Sequence, residues 1–209
     1  MAEFTFYTVA MSRGQISRWA LHEAGADYEH VVFDWASRPA TFRDVNPMNK
    51  VPALVHHHGG HDHVVTECAA INHYLAETHP QKGLLPDAHE KAAYFRWLFF
   101  AAGPLEQAII ARSFGWEVPE GKTGQAGFGS LDLTLDALDT WLSANDFIAG
   151  ARFTMADTYV GSQFVWGLRF GSIPERPAFK AYAERVTQRP AYAEANAIDA
   201  AIIKGAAAA

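Results

Sequence analysis

The chain reads as an α/β unit in the order βαβ then ββα, followed by an all-helical region. Three observations support this. Strand-like segments are confined to the first third of the 209 residues. A stretch with two prolines and a glycine, His79-Pro80-Gln81-Lys82-Gly83-Leu84-Leu85-Pro86, then breaks the pattern. Beyond it only helical periodicity appears. The division expected is residues 1–79 for the α/β unit, 80–87 for a linker and 88–209 for the helical domain.

Residues 4–9 are β-rich and open the chain as a strand. Ile16, Trp19, Ala20 and Leu21 then fall at helical spacing, and Gly25 stops that helix. Residues 28–33 form a second strand, and strand–helix–strand order implies a right-handed crossover joining a parallel pair. Residues 38–45 make a short irregular helix ending at Asn46-Pro47. Residues 52–56 and 63–65 are short strands, with residues 57–62 as the hairpin turn around Gly59-Gly60. Residues 67–77 are helical, with Ala70, Ile71, Tyr74 and Leu75 on one face.

In the second region, residues 87–114 form a long apolar helix kinked at Gly103-Pro104, where proline removes an intrahelical hydrogen bond. A loop over 121–129 precedes helices over 130–144, 153–169, 176–187 and 190–203. Thr154-Met155-Ala156-Asp157 matches a capping box, a structural rather than catalytic feature.

Composition narrows the function. Formal charge is −6, with 17 basic against 23 acidic residues, which argues against nucleic acid or an anionic membrane as the main partner. No apolar run approaches the ~20 residues that span a bilayer. The N-terminus lacks a basic region followed by an apolar run, so no signal peptide is expected. A single cysteine, Cys68, allows no intramolecular disulfide and suits a reducing compartment, so a cytoplasmic location is expected.

Several residues could carry chemistry. Pro52 is either a strand-start proline or the second residue of a cis Val51-Pro52 bond. Thr66-Glu67-Cys68 stands where a strand enters a helix. It either caps that helix or uses the unpaired N–H groups to hold a carboxylate while Glu67 pairs with an ammonium. Ser12 is an N-cap or a hydroxyl donor to an anion above the first helix, and Arg13 adds positive field or faces solvent. Tyr7 is another possible donor, though its place within the strand favours a core or edge role. His56, His57, His58, His61 and His63 crowd eight positions but show no recognised ligand spacing, so no metal is expected.

Taken in order, these residues resemble the cytosolic glutathione transferases over nearly the whole chain. The match rests on the βαβ–ββα unit, Asn46-Pro47-Met48-Asn49-Lys50-Val51-Pro52-Ala53-Leu54, Glu67-Cys68-Ala69-Ala70-Ile71, and Gly150 with the capping box. The chain looks most like bacterial serine-type members, with Ser12-Arg13-Gly14 in the catalytic loop.

The resemblance implies a thioredoxin-like glutathione-binding domain and a helical-bundle domain. Pro52 takes the place of the family's cis-proline, and Val51 pairs its backbone with the cysteinyl part of glutathione. Glu67 takes the γ-glutamyl ammonium. Cys68 replaces the usual serine at the γ-glutamyl carboxylate, with a weaker donor in its side chain. Asn49 or Lys50 approaches the glycyl carboxylate. Ser12, with Arg13, activates the thiol. Arg112, Phe114 and Trp116 are candidates for the second-substrate wall, expected between the domains, with ordinary core aromatics as the competing reading.

A free thiol has a pKa of about 8.5. Lowering it by ~2 units needs ~2.7 kcal/mol of preference for the thiolate. A hydroxyl hydrogen bond to a charge supplies ~1.5–3 kcal/mol and a helix N-terminus ~0.3–1 more. The expected activity is conjugation of glutathione to a small, mostly apolar electrophile by a homodimer. Glutathione-dependent isomerisation, peroxide reduction and non-catalytic ligand binding are the rivals.

Overall fold

The computed structural model describes residues 2–34, 36 and 38–207. Its strands form one four-stranded sheet in the order β2-β1-β3-β4. β1 (Phe4–Val9) and β2 (Tyr28–Phe33) pair in parallel across α1 (Gly14–Ala24), as the crossover argument requires. β3 (Ala53–His58) lies antiparallel to β1, and β4 (His61–Thr66) antiparallel to β3. The central strands are the most buried: Phe4, Phe6, Ala53 and Leu54 are fully inaccessible. Gly25 caps α1 in the left-handed conformation. α2 (Phe42–Val45) is a four-residue turn of helix, and α3 (Cys68–Thr78) completes the ββα half.

The hairpin differs from expectation. Its turn is only Gly59-Gly60, both at positive φ (+62° and +79°), so the strands run to His58 and from His61. Two consecutive positive-φ residues match the twist of a two-residue hairpin, and glycine reaches that conformation without steric cost. His57, His58 and His61 are therefore strand residues. His56 is buried, stacks on Phe4 with ring centroids 4.4 Å apart, and shares a hydrogen bond with the Tyr74 hydroxyl at 2.8 Å.

The chain forms two compact units, residues 1–85 with 188–209, and residues 86–187. The last helix, α9 (Pro190–Ala207), packs on α1 in the first unit. Arg18 donates from Nε to Asp199 at 2.8 Å, with both side chains buried. Arg189 grips both Glu23 carboxylate oxygens at 2.5 and 2.6 Å, and Trp19 meets Tyr192 edge-on. A charge buried this deeply is held only when paired, so Arg18 and Asp199 tie α9 in place.

Within the second unit, the long helix expected over 87–114 is α4 (Lys91–Phe100), a π-helical turn over Ala101–Leu105 containing Gly103-Pro104, and α5 (Glu106–Phe114). The π turn absorbs the backbone bond that proline cannot make. α6 (Leu131–Leu142) is capped by Ser130, whose side chain accepts from Leu133 N–H. α7 (Met155–Phe170) opens with the expected capping box and α8 (Pro177–Thr187) closes the unit. The buried Asp157 carboxylate accepts from Ile148 N–H and Tyr182 Oη on one oxygen, and from Thr154 N–H and Oγ1 on the other, at 2.8–3.0 Å.

Candidate functional site

Sheet register gathers the first-unit candidates at one end. Ala53 pairs with Tyr7 on one side and Thr66 on the other. Val51 and Pro52 therefore continue beside Glu67 and Cys68, and the chain leaving β1 after Val9 turns through Ser12 at the same end. In α/β sheets, ligands sit outside the carboxyl ends of strands, and β1 and β4 both end here.

Ser12 holds that turn together. Its Oγ donates to the Val9 carbonyl at 2.7 Å and accepts from Gly14 N–H at 3.0 Å. Gln15 Nε2 adds a bond to the Ala10 carbonyl at 2.7 Å. The turn also requires glycine at 14, because a Cβ there would stand 1.9 Å from Thr8 Oγ1 and 2.9 Å from Thr8 Cβ. Arg13 is solvent-exposed and offers its backbone carbonyl inward. Tyr7 is partly buried and packs its ring on Phe33 and Phe42 at 5.9 and 5.4 Å, at the margin of the core cluster.

Glu67 precedes α3 at φ +69°, ψ +121°, a conformation that a side-chain-bearing residue rarely adopts. Its carboxylate is exposed. Such strain costs of order 1–3 kcal/mol and concentrates at functional positions. Cys68 begins α3, and its buried thiol donates to the Arg13 carbonyl at 3.5 Å. The sulfur thus links the two helix starts. Its backbone N–H lies in the first helical turn, where no intrahelical acceptor exists.

The Val51-Pro52 bond is cis. Val51 precedes β3, so its backbone lies beyond the last ladder pair, Tyr7 with Ala53. Asn46, absent from the sequence-derived candidates, braces this approach. Its buried side chain accepts from Met48 N–H at 3.1 Å and donates to the Lys50 carbonyl at 2.7 Å. The signal was there in Asn46-Pro47, since asparagine readily bonds the backbone two residues on. Arg38, also unforeseen, donates to the Asn49 carbonyl at 2.6 Å. Asn49 itself forms the corner at φ +53°, with Oδ1 buried and without a hydrogen bond among the described residues, whereas Lys50 is exposed. Of the two, Lys50 is the one presenting charge to solvent.

Arg112, Phe114 and Trp116 lie at the end of α5 and just beyond it, in the second unit. The two rings meet edge-on at 5.1 Å, and both are about two-thirds exposed (65 % and 64 %). They are surface aromatics, not core. Among the described residues, no group of three or more His, Cys, Asp or Glu side chains is arranged to hold a metal ion.

Comparison with known proteins bears on this arrangement. The model of the glutathione S-transferase N-terminal domain matches residues 10–78, and that of the C-terminal domain matches residues 106–190, together more than half of the chain. The chain is 29 % identical to glutathione S-transferase 3 of Zea mays, over 92 % of each sequence. Its fold resembles a glutathione transferase from Methylococcus capsulatus at a TM-score of 0.77 and 28 % identity, covering 94 % of this chain and 98 % of the other. It resembles a sphingomonad glutathione S-transferase, solved as a complex with glutathione, at a TM-score of 0.75 and 28 % identity, with the same coverage. With its α/β unit followed by a helical region and both domain models matched, the chain belongs to the glutathione S-transferase family.

Proposed function

We propose that this chain is a glutathione transferase, binding glutathione at the end of the sheet where β1 and β4 finish and activating its thiol for attack on a small electrophile. The observation carrying this reading is the convergence of three features there. The Ser12 turn, the Val51-Pro52 corner and the Glu67-Cys68 helix start come from three separate segments and are placed together by the register of Ala53 with Tyr7 and Thr66. Val51 extends the sheet by one backbone pairing to the cysteinyl residue. Glu67 takes the γ-glutamyl ammonium, and the Cys68 N–H takes the carboxylate at the start of α3. Lys50 faces the glycyl carboxylate. The Ser12 hydroxyl donates to the sulfur, so the thiol proton leaves to solvent and the thiolate attacks the electrophilic carbon. In a substitution the leaving group departs with the electron pair.

Arg112, Phe114 and Trp116 form the wall for an apolar second substrate; their exposure leaves the rings accessible to one. In chain order we assign a glutathione-binding domain to 1–79, a linker to 80–87 and a helical domain to 88–209, whose last helix, α9, packs back on α1 within the first compact unit. The chain works as a cytoplasmic homodimer. No described helix is long and apolar enough to cross a membrane.

The test is calorimetric titration with glutathione, then turnover with a panel of aryl halides, hydroperoxides and maleyl acids, with sedimentation to give the oligomeric state. Conjugation of the aryl halides is the expected outcome. Preferential turnover of a hydroperoxide or a maleyl acid would reassign the reaction, and binding without any turnover would make the chain a ligand-binding protein.

A further inference from the structure

α1 and α3 each begin at part of the proposed site, the Ser12 turn and the Glu67-Cys68 helix start, and two polar ties join them. One is the Cys68 thiol on the Arg13 carbonyl. The other lies deeper: Ser17 Oγ donates to Asn72 Oδ1 at 3.1 Å, and both residues are fully inaccessible to solvent. Neither belongs to the site. Ser17 lies three residues inside α1, and Asn72 four residues inside α3. Their buried neighbours include the apolar Ile16, Ala20 and Leu21 on α1 and Ile71 and Leu75 on α3, while the charges buried on α1, Arg18 and Glu23, pair with Asp199 and Arg189.

Apolar contacts are non-directional, so they specify the pairing of two helices less sharply than a hydrogen bond does. A directional polar pair does the opposite. Sliding either helix stretches the bond between Ser17 and Asn72, the device by which one buried asparagine sets register between paired helices.

We propose that Ser17 and Asn72 are positioning residues for thiol activation: their buried hydrogen bond sets the axial register of α1 against α3, and so the separation between Ser12 and the Glu67–Cys68 clamp. The proposal rests on the transferase reading above. A glutathione held by α3 and Val51 presents its sulfur at a place α3 determines, while the hydroxyl that must meet it rides on the turn leading into α1. One residue of slip displaces a helix by about 1.5 Å, and a displacement of that size at a reacting group costs up to about a hundredfold in rate.

The test uses Ser17→Ala, Asn72→Leu and the double variant in the full chain. Three quantities are read: melting temperature, KM for glutathione, and the pH profile of conjugation. The pair expected to set register should, when broken, raise the apparent pKa of the bound thiol and lower kcat/KM at neutral pH about tenfold, in single and double variants alike. The double variant should regain part of the lost melting temperature, because neither member is left without the other, but none of the lost kinetics. Kinetics that return together with melting temperature would make the pair merely structural, and wild-type kinetics in every variant would dismiss it; either result overturns the proposal. Should the unmodified chain neither bind nor turn over glutathione, the transferase reading fails by itself. The register claim is then decided by the amide shifts of residues 12–14 and 67–69, which move in the double variant if the pair sets register and hold still if it does not.

Discussion

Replacing Ser12 by alanine is the most direct probe of how the thiol is activated, and the geometry sets the size of the effect. The hydroxyl has one proton, and in the free protein it is donated to the Val9 carbonyl at 2.7 Å. Serving the thiolate means giving that bond up. A hydrogen bond to a charged group contributes ~1.5–3 kcal/mol and the neutral one forgone ~0.5–1.5, so the net preference for thiolate is about 1.5 kcal/mol. That is roughly one pKa unit, or tenfold. The oxygen itself stays in place through the Gly14 N–H bond, and the N-terminus of α1 adds ~0.3–1 kcal/mol that alanine does not remove. Ser12→Ala should therefore raise the thiol's apparent pKa by about one unit, not the two that a fully dedicated hydroxyl could supply.

The assay is kcat/KM for conjugation measured from about pH 5.5 to 9.5. Below both pKa values the variant should run about tenfold slower, and above both the two proteins should converge. An equal loss at every pH would refute the acid–base role and leave Ser12 as a brace of the turn. No loss anywhere would remove it from the mechanism and bring Arg13 forward, since the Tyr7 ring is packed against Phe33 and Phe42.

Three further outcomes are expected. Glu67→Gly relieves a backbone held at φ +69° and should stabilise the fold by about 1 kcal/mol net of glycine's greater chain entropy, while raising KM for glutathione; a lower melting temperature would mean the conformation is not strained. Gly14→Ala forces a methyl against the buried Thr8 and should cost about 1–3 kcal/mol in denaturant unfolding, with activity falling as the Ser12 turn shifts. Burial pushes the Asp157 carboxyl up to about 6, against four hydrogen bonds that favour its ionised form. Because the folded value lies above the unfolded one, this group's contribution is fully present below about pH 4 and is lost as pH rises through 6, an amplitude of about 3 kcal/mol. Asp157→Asn should abolish that slope in melting curves taken across the window. It should also cost about 1–3 kcal/mol at low pH, because one backbone N–H faces a donor whichever way the amide is turned.

The parts of this structure written in short-range chemistry were legible. β1, β2 and the end of α1 follow from β-rich composition, helical spacing and Gly25, and the capping box names its own hydrogen bonds. The hairpin was misjudged in length because histidine has no strong strand preference, so five histidines in eight positions masked two strands that the paired glycines alone define. Destinations were harder to read. Nothing in the spacing of α9 says which unit it will cover. The partners that decide it are Arg18 with Asp199 and Glu23 with Arg189, 181 and 166 residues apart in sequence. The alternative of a cis Val51-Pro52 bond and the place of Glu67 at the entry to α3 were readable, whereas the direction of the Ser12 hydroxyl, the turn-bracing role of Asn46 and the Ser17–Asn72 tie are tertiary facts without a local pattern.

The hydroxyl proposed to activate the thiol already has a partner within the protein. Ser12 donates to the Val9 carbonyl, and the Cys68 thiol, where a serine hydroxyl would otherwise be a donor, is likewise turned to Arg13. Ser12 must exchange its bond to serve the sulfur, so its net contribution is a difference between two similar energies. The exposed charges of Glu67 and Lys50 and the backbone of Val51 face no such exchange with these groups, but exposed ion pairs contribute only ~0.2–1 kcal/mol each. Ground-state affinity for glutathione should therefore be modest and spread over many contacts. The Ser12 bond differs from the rest: it gains strength only as the sulfur becomes charged, so it favours the ionised, reactive form over the bound thiol. The same exchange that makes Ser12 a weak binder makes it selective for the thiolate. That is why its loss should be read in the pH profile of the rate and hardly at all in the binding constant for glutathione at low pH.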